Sequence, residues 1–142
     1  MQAQAAAFKA PVRIPVVYGA NAAILDGFVF VAADADYELV CVSEVHDVAG
    51  THGSAVTLDV VKCAAGTSVA SGTSLLVSTF DLKSTADTPV TKTVSNGGIA
   101  QAQSSRQILQ GESLALNFTG TLDALAGVAV AITLNPVTRP AW

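Results

Sequence analysis

The stretch EVHDVAGTHG, residues 44–53, contains both histidines of the chain together with two carboxylates. Zn²⁺ sites require three or four His, Cys, Asp or Glu side chains that converge on one point. Glu44 and His46 are two positions apart, so they share one face if the segment is a strand. The stretch is therefore a candidate metal site formed by His46, Asp47 and His52, with Glu44 as a further possible ligand.

The flanking segments favour a second interpretation of the same stretch. Residues 37–46 and 54–63 both have strand-like patterns, and the Gly, Asp and Thr residues between them are typical of loops. Two strands joined by about seven residues predict a β-hairpin, whose polar tip needs no ligand. The spacing of His46 and His52 is unspecific. We therefore expect a hairpin tip, with no metal and no other cofactor.

Cys41 and Cys63 would lie opposite each other in that hairpin, since each is eleven positions from His52. Opposite Cβ atoms on neighbouring strands are about 4.5–5.5 Å apart, which small adjustments bring within reach of a disulfide. A slip of one residue in the register would place the two side chains on different faces. Two cysteines are too few for a disulfide framework, and we expect free buried thiols.

Another acidic group, Asp34, Asp36 and Glu38, resembles the beginning of a calcium-binding loop. Such a loop needs glycine at its sixth position, where this chain has Leu39. We therefore expect a solvated bend. The sequence contains no GxSxG motif, no P-loop and no dinucleotide-binding glycine pattern, and each cysteine lies in a largely apolar or small-residue context. We expect a protein that is not an enzyme.

The composition restricts the class of partner. Charged residues are 13% and hydrophobic residues 51% of the 142 residues, whereas a typical domain has about 25% charged residues. This balance indicates a surface that partly contacts other protein. The net charge of −4 argues against nucleic acid, and no window approaches the roughly 20 apolar residues of a membrane span. The first residues lack the basic region of a secretory signal, so we expect a soluble protein in a reducing cytoplasm.

The segments that must position these residues alternate apolar and polar side chains with a period of two. Val56, Leu58 and Val60 alternate with polar residues, for example, and Asn96-Gly97-Gly98 is a turn signal. The pattern predicts strands within residues 27–34, 37–46, 54–63, 88–95, 105–111, 112–120 and 127–135.

One segment is ambiguous between helix and strand. Leu75, Leu76 and Phe80 have helical spacing behind Ser74, so residues 74–82 allow one short helix, with a strand as the alternative. No βαβ rhythm is present. The predicted fold is all-β, a two-sheet sandwich of about eight strands, and a jelly roll fits that count.

The two ends of the chain differ from its middle. We predict an extended N-terminal arm at 1–23, the sandwich at 24–135 and a C-terminal tail at 136–142. Pro15 allows residues 12–18 to form only an edge strand. Apolar side chains in these ends need a surface, which is either their own domain or a neighbouring subunit. The candidate partner-contact residues are Phe8, Val12, Ile14, Val16, Val17, Tyr18 and Trp142.

The stretch from about residue 24 to residue 135 resembles small structural proteins encoded among the head genes of tailed bacteriophages. The resemblance is carried by ADADYELVCVSEVH, GSAVTLDVVKC, GTSLLVSTFDLKSTADT and GESLALNFTGTLDALAGVAVAITL. It implies a capsid decoration, or cement, protein: a β-sandwich, often a jelly roll and commonly a homotrimer, whose partner is the major capsid protein. The implied location is the virion exterior, after synthesis in the cytoplasm of the bacterial host. The resemblance brings no catalytic residues and assigns no contact residues.

An alternative function uses the same fold. A head fibre, or a receptor- or glycan-binding module of a phage particle, would bind through loops such as 47–53 and 64–73. A fibre usually has a helical or repetitive stalk, and the sequence contains none. We therefore expect the decoration role.

Overall fold

The computed structural model describes residues 10–21 and 24–137 of the chain. Its strands form two antiparallel sheets. The strands are β1 (Val12–Val17), β2 (Gly27–Val31), β3 (Asp36–Val45), β4 (Thr57–Cys63), β5 (Thr73–Ser74), β6 (Phe80–Asp81), β7 (Val90–Thr93), β8 (Gln107–Ile108), β9 (Ser113–Thr119) and β10 (Ala129–Val137). A 3₁₀ turn at Val69–Ser71 and the short helix α1 (Gln103–Arg106) lie between them.

The strand order is that of a jelly roll. Sheet A has the order β1-β10-β3-β7, with β8 also beside β3, and sheet B has the order β2-β9-β4-β5, with β6 also beside β4. β7 and β8 both lie beside β3 on the same side, and β5 and β6 both lie beside β4 on the same side. Each of these two sets occupies one strand position, so the ten strands fill eight positions. This confirms the prediction of an all-β sandwich of about eight strands with jelly-roll topology.

The period-two pattern builds the core between the two sheets. Alternate residues of each long strand point inward and lose nearly all contact with solvent, which is the main stabilising contribution to such a fold. The inward residues of the three most regular strands are Val56 just before β4, Leu58 and Val60 on β4, Leu114 and Leu116 on β9, and Val130, Ile132 and Leu134 on β10. The alternation predicted for Val56, Leu58 and Val60 is confirmed, since all three face the core.

β3 and β4 do not form a hairpin, so that prediction was wrong. β3 belongs to sheet A and β4 to sheet B, and residues 46–56 cross from one sheet to the other. Cys41 and Cys63 therefore lie on different sheets, and both are free thiols; Cys63 is buried as expected, whereas Cys41 is only partly buried. A period of two shows which residues face the core, but it does not show whether the next strand joins the same sheet or the opposite one.

The ambiguous segment 74–82 is not helical, and only Ser74 and Phe80–Asp81 of it belong to strands, with bends between them. The strand alternative therefore holds only for these residues. The Ser74 hydroxyl accepts from the Leu76 N–H at 3.2 Å and donates to the Leu76 carbonyl at 3.2 Å. Such local side-chain bonds compete with a helix. The short helix lies instead at Gln103–Arg106, which overlaps the predicted strand 105–111; only Gln107–Ile108 of that segment is a strand.

β1 forms an edge of sheet A, as predicted for a strand that contains Pro15. It pairs with β10 from Val12↔Leu134 to Val17↔Ala129. Residues 12–17 of the predicted arm thus belong to the sandwich, and β10 continues to Val137, beyond the predicted domain end at 135. In the described ranges, no helix has the length and apolar character to cross a membrane.

Candidate functional site

Glu44 and His46 form a buried pair at one end of the sandwich, on the inner face of β3. Their side chains are 1% and 0% exposed, respectively. His46 Nδ1 lies 2.9 Å from Glu44 Oε2, and His46 Nε2 donates to the carbonyl oxygen of Ser84 at 3.0 Å. A carbonyl oxygen can only accept, so Nε2 carries a proton. Both ring nitrogens are engaged by protein partners, which leaves neither of them for a metal.

The environment of the pair favours one proton shared between the two side chains. Burial raises the pKa of Glu44, and the hydrogen bond and charge of His46 oppose this only in part. Burial by itself lowers the pKa of His46, but the Ser84 carbonyl and the Glu44 carboxylate raise it overall. An imidazolium can donate from Nδ1 to Glu44 and from Nε2 to Ser84 at the same time. The geometry therefore fits a buried ion pair.

The candidate metal ligands do not converge. His52 is half-buried and its Nδ1 accepts from the Ser54 N–H at 3.2 Å, while Asp47 is exposed. Among residues 10–21 and 24–137, no group of three or more His, Cys, Asp or Glu side chains can hold a metal ion. The polar-tip interpretation was also wrong for Glu44 and His46. They continue the inward phase of Val42, a signal that the sequence contained.

The acidic bend at Asp34–Glu38 has a buried, hydrogen-bonded carboxylate at its centre. Asp36 was predicted to be solvated but is only 4% exposed. Its Oδ1 accepts from the Gln110 N–H at 2.8 Å, and the Tyr37 hydroxyl donates to Asp34 Oδ1 at 2.8 Å. The bend is thereby fastened to the turn that precedes β9, and the solvated interpretation of Asp36 was wrong.

The outer face of sheet A carries an open apolar groove of about 200 Å³. Two rows across the sheet form its floor: Pro15, Ala131 and Ser43 in one row, and Val17, Ala129 and Val45 in the next. The lining residues are Pro15, Val17, Ser43, Glu44, Val45, Pro89, Ala129, Val130 and Ala131. Glu44 is the charged member of this set, and its side chain is turned into the interior.

The groove offers a partner apolar contact with little polar group to desolvate. Val17 is 75% exposed at one side, and the neighbouring Ser43 Oγ and Thr91 Oγ1 satisfy each other at 2.7 Å. The side chains of the floor are small, so the surface is hollow and can accept a protruding side chain. An exposed apolar patch of this kind is typical of a protein–protein contact.

The predicted partner-contact residues divide into three groups. Val12, Ile14, Val16 and Tyr18 pack against the core of their own domain, which was the alternative placement of the arm. Val17 faces outward into the groove. Phe8 and Trp142 lie outside the described residues. Sequence reasoning missed Ala129, Ala131 and Ser43 as groove residues, because small residues on an alternating strand give no signal of their own.

The described part of the chain thus has two features that await a role, the buried Glu44–His46 pair and the groove on sheet A. The pair is enclosed, and the one hydroxyl on the groove floor, that of Ser43, is bonded to Thr91 Oγ1 with no base beside it, so the geometry suits binding better than catalysis. Comparison of the chain with protein-family models, with curated proteins and with solved structures gives no match.

Proposed function

We propose that the protein is a capsid decoration protein that binds the major capsid protein of a tailed phage through the outer face of sheet A. The observation that carries this proposal is the open, uncharged groove between Pro15, Val17 and Pro89. The jelly roll, the low content of charged residues and the resemblance of residues 24–135 to phage head proteins support it. The expected location is the exterior of the virion.

The groove supplies a plausible anchor for such a contact. Burying a valine side chain fully stabilises an interface by about 1.5–3 kcal/mol, and Val17 is 75% exposed in the free domain. Stable interfaces bury about 1,200–2,000 Å², which is more than a groove of this size provides. Surfaces around the groove must therefore contribute, and Phe8 and Trp142 are candidates for that contribution.

The work of the protein in this role is mechanical. A molecule seated where neighbouring capsid subunits meet loses contacts when the joint opens, and this loss raises the free energy of opening. We propose a homotrimer, because three linked copies combine weak contacts through their high effective concentration. Removal of the protein from a filled head should then lower the temperature at which the head releases DNA.

The test is a charged substitution in the groove. Ala131→Asp places a carboxylate on the groove floor, where a partner would have to bury it unpaired, and should weaken capsid binding by at least tenfold, or about 1.4 kcal/mol. Ala65→Asp is the matched control, because Ala65 is exposed in the loop beside sheet B. Binding is measured by co-sedimentation with undecorated heads, after both variants are shown to unfold at the wild-type temperature.

Wild-type binding by Ala131→Asp would contradict the assignment of this face. Deletion of residues 1–9 tests the remainder of the arm separately, since it leaves β1 in place. Deletion of residues 1–18 would remove β1 itself and is a poorer test.

A further inference from the structure

We infer that the Glu44–His46 pair is a pH-sensitive latch that holds residues 82–89, the closing segment, against the end of the sandwich and thereby sets the shape of the groove. The inference concerns the regulation of the groove, so its biological use rests on the proposed function. Its structural part can be tested on the isolated protein.

His46 holds the closing segment at two points. Its side chain donates from Nε2 to the Ser84 carbonyl at 3.0 Å, and its backbone carbonyl accepts from the Asp87 N–H at 2.8 Å. The start of the segment is fixed independently, because the Leu82 N–H donates to the Val56 carbonyl at 2.9 Å. Ser84 is also held locally, because its hydroxyl donates to the Asp81 carbonyl at 2.8 Å. His46 supplies the bonds that tie Ser84 and Asp87 to the end of β3.

The same pair lies directly behind the groove. Glu44 and Val45 belong to the groove lining, and so does Pro89, which follows the closing segment's bond to His46 by two positions. One residue of the latch thus belongs to the groove lining, although its side chain points inward, and the segment that the latch holds supplies Pro89 to the same lining. A change in the latch has a short path to the binding surface.

Both ring nitrogens of His46 are hydrogen-bonded when the pair shares one proton, and one of these bonds is lost when that proton leaves. With the proton present, either an imidazolium donates from Nδ1 to the Glu44 carboxylate or a protonated Glu44 donates to a neutral Nδ1. Nε2 donates to Ser84 in both arrangements. When the proton is lost, the imidazole keeps a single N–H and can satisfy only one of its two acceptors. The charged Glu44 carboxylate binds that N–H at Nδ1 more strongly than the Ser84 carbonyl binds it at Nε2. The Nε2 lone pair then faces the Ser84 carbonyl, so this bond is lost and the closing segment is released.

Few other charges act on the pair. Asp81, which lies on β6 just before the closing segment, raises the pKa of His46 together with Glu44. β10, which packs along the other side of β3, has no ionisable residue between Ala129 and Val137. The remaining charged residues on adjoining segments are Asp47, Lys83, Asp87 and Lys92; Lys83 Nζ donates to the Ser54 carbonyl and Lys92 Nζ donates to Ser78 Oγ. The latch therefore responds chiefly to Glu44, His46 and Asp81.

The experiment is an NMR titration of the full chain from about pH 5 to pH 9, the range in which histidine pairs titrate. It follows the His46 imidazole, the amide shifts of Thr88 and Val90, and the exchange rate of the Asp87 amide. We expect the Asp87 amide to exchange at least tenfold faster than the intrinsic rise with pH once His46 deprotonates. The shifts of Thr88 and Val90 should have the same midpoint as His46.

Glu44→Gln supplies the critical variant. A glutamine can accept from Nδ1–H and can also donate to a neutral Nδ1, so the pair stays bonded when His46 loses its proton. The His46 midpoint should fall, and the extra exchange at Asp87 should disappear. His52→Gln is the control, because it removes the other histidine of the chain and leaves the latch intact. Titration of wild-type His46 without any response at Asp87, Thr88 or Val90 would overturn the latch.

Capsid binding separates the latch from the proposed function. If both hold, wild-type affinity for heads changes with the His46 midpoint and the Glu44→Gln affinity does not. Loss of binding in Ala131→Asp without a response at Asp87 would reject the latch and keep the groove. A response at Asp87 with normal binding by Ala131→Asp would keep the latch and reject the groove as the binding face.

Discussion

Two apolar regions on the outer faces of the sheets differ in whether the chain covers them: the region around β4 and β9 on sheet B, and the groove on sheet A. On sheet B, Val61, Cys63 and Ala115 are 0–2% exposed because the chain covers them with its own loop, residues 64–72, whose Val69 packs on them. On sheet A, the corresponding face has Val17 at 75% exposure and small residues behind it. The region around β4 and β9 is a second small core, although Phe28, which pairs with Ala115 on the same face of sheet B, stays 56% exposed. The groove on sheet A has no cover from the described residues.

The cover on sheet B fits tightly. A Cβ atom on Gly72 would lie 2.7 Å from Val61 Cγ2 and 2.9 Å from Cys63 Sγ, so glycine is required where the loop returns across the sheet. Sheet A has no comparable segment among the described residues. The difference teaches that an apolar outer face is a candidate contact surface only where the chain itself does not fill it.

The largest expected difference between the faces comes from placing the same charge on each. Ala115→Asp buries a carboxylate beneath the cover and should destabilise the protein by about 3 kcal/mol or more. Ala131→Asp places it in the open groove and should change stability by no more than about 0.5 kcal/mol. Urea unfolding of the two variants measures both values. Equal destabilisation would show that the groove is occupied in the free protein.

The next effect tests how tightly the cover is held. Gly72→Ala should destabilise by about 1–3 kcal/mol, because the added methyl group overpacks against Val61 and Cys63. Gly53→Ala is the matched control, since an added Cβ there meets no atom within 4 Å. Thermal unfolding of both variants gives the comparison. A neutral Gly72→Ala would mean that the cover lifts easily.

The reaction rates of the two cysteines with a thiol reagent test the same difference between the covered and the uncovered region. Cys41 is half-buried on the outer face of sheet A, whereas Cys63 is 2% exposed beneath the cover and burial raises the pKa of its thiol, with Glu112 adding to this. We expect Cys41 to react with a thiol reagent at least about tenfold faster, which corresponds to about 1.4 kcal/mol of local opening at Cys63. Cys41→Ser and Cys63→Ser assign the two rates. Faster reaction at Cys63 would contradict a closed cover.

The smallest effect concerns the layer beneath the groove. The pKa values of Glu44 and His46 are both raised in the folded protein, so the fold retains protons that the unfolded chain has released. Their contribution to stability is full at low pH and is lost as the pH rises from the ordinary range of glutamate through the folded pKa of His46. Glu44→Gln should lose less stability than wild type between about pH 5 and pH 8. Parallel curves of urea midpoint against pH would contradict this sign.

The sequence predicted the sandwich because alternation is a local property. Val56, Leu58 and Val60 indicate their own inward direction, and so do the alternating residues of β9 and β10. Pro15 likewise identified an edge strand from its own chemistry. The expected number of about eight strands followed from the number of alternating segments.

The connection between sheets could not be predicted, because it depends on residues far apart in sequence. Residues 46–56 carry loop chemistry whether they close a hairpin or cross to the opposite sheet. The candidate site could not be predicted for the same reason. Glu44 and His46 were grouped with His52 by proximity along the chain, whereas Ser84, the partner that completes the pair, lies 38 positions away. The groove joins β1, β3 and β10, which only the topology brings together.

The pairing of β1 with β10 has a consequence for synthesis on the ribosome. β1 leaves the ribosome before β10, which is its partner in sheet A and also separates β1 from β3. Sheet A therefore cannot be completed until β10 has left the exit tunnel, and loop closure over that separation slows folding. Until then β1 and β3 present unpaired apolar edges. A nascent or truncated chain without β10 is the form most exposed to aggregation and to chaperones.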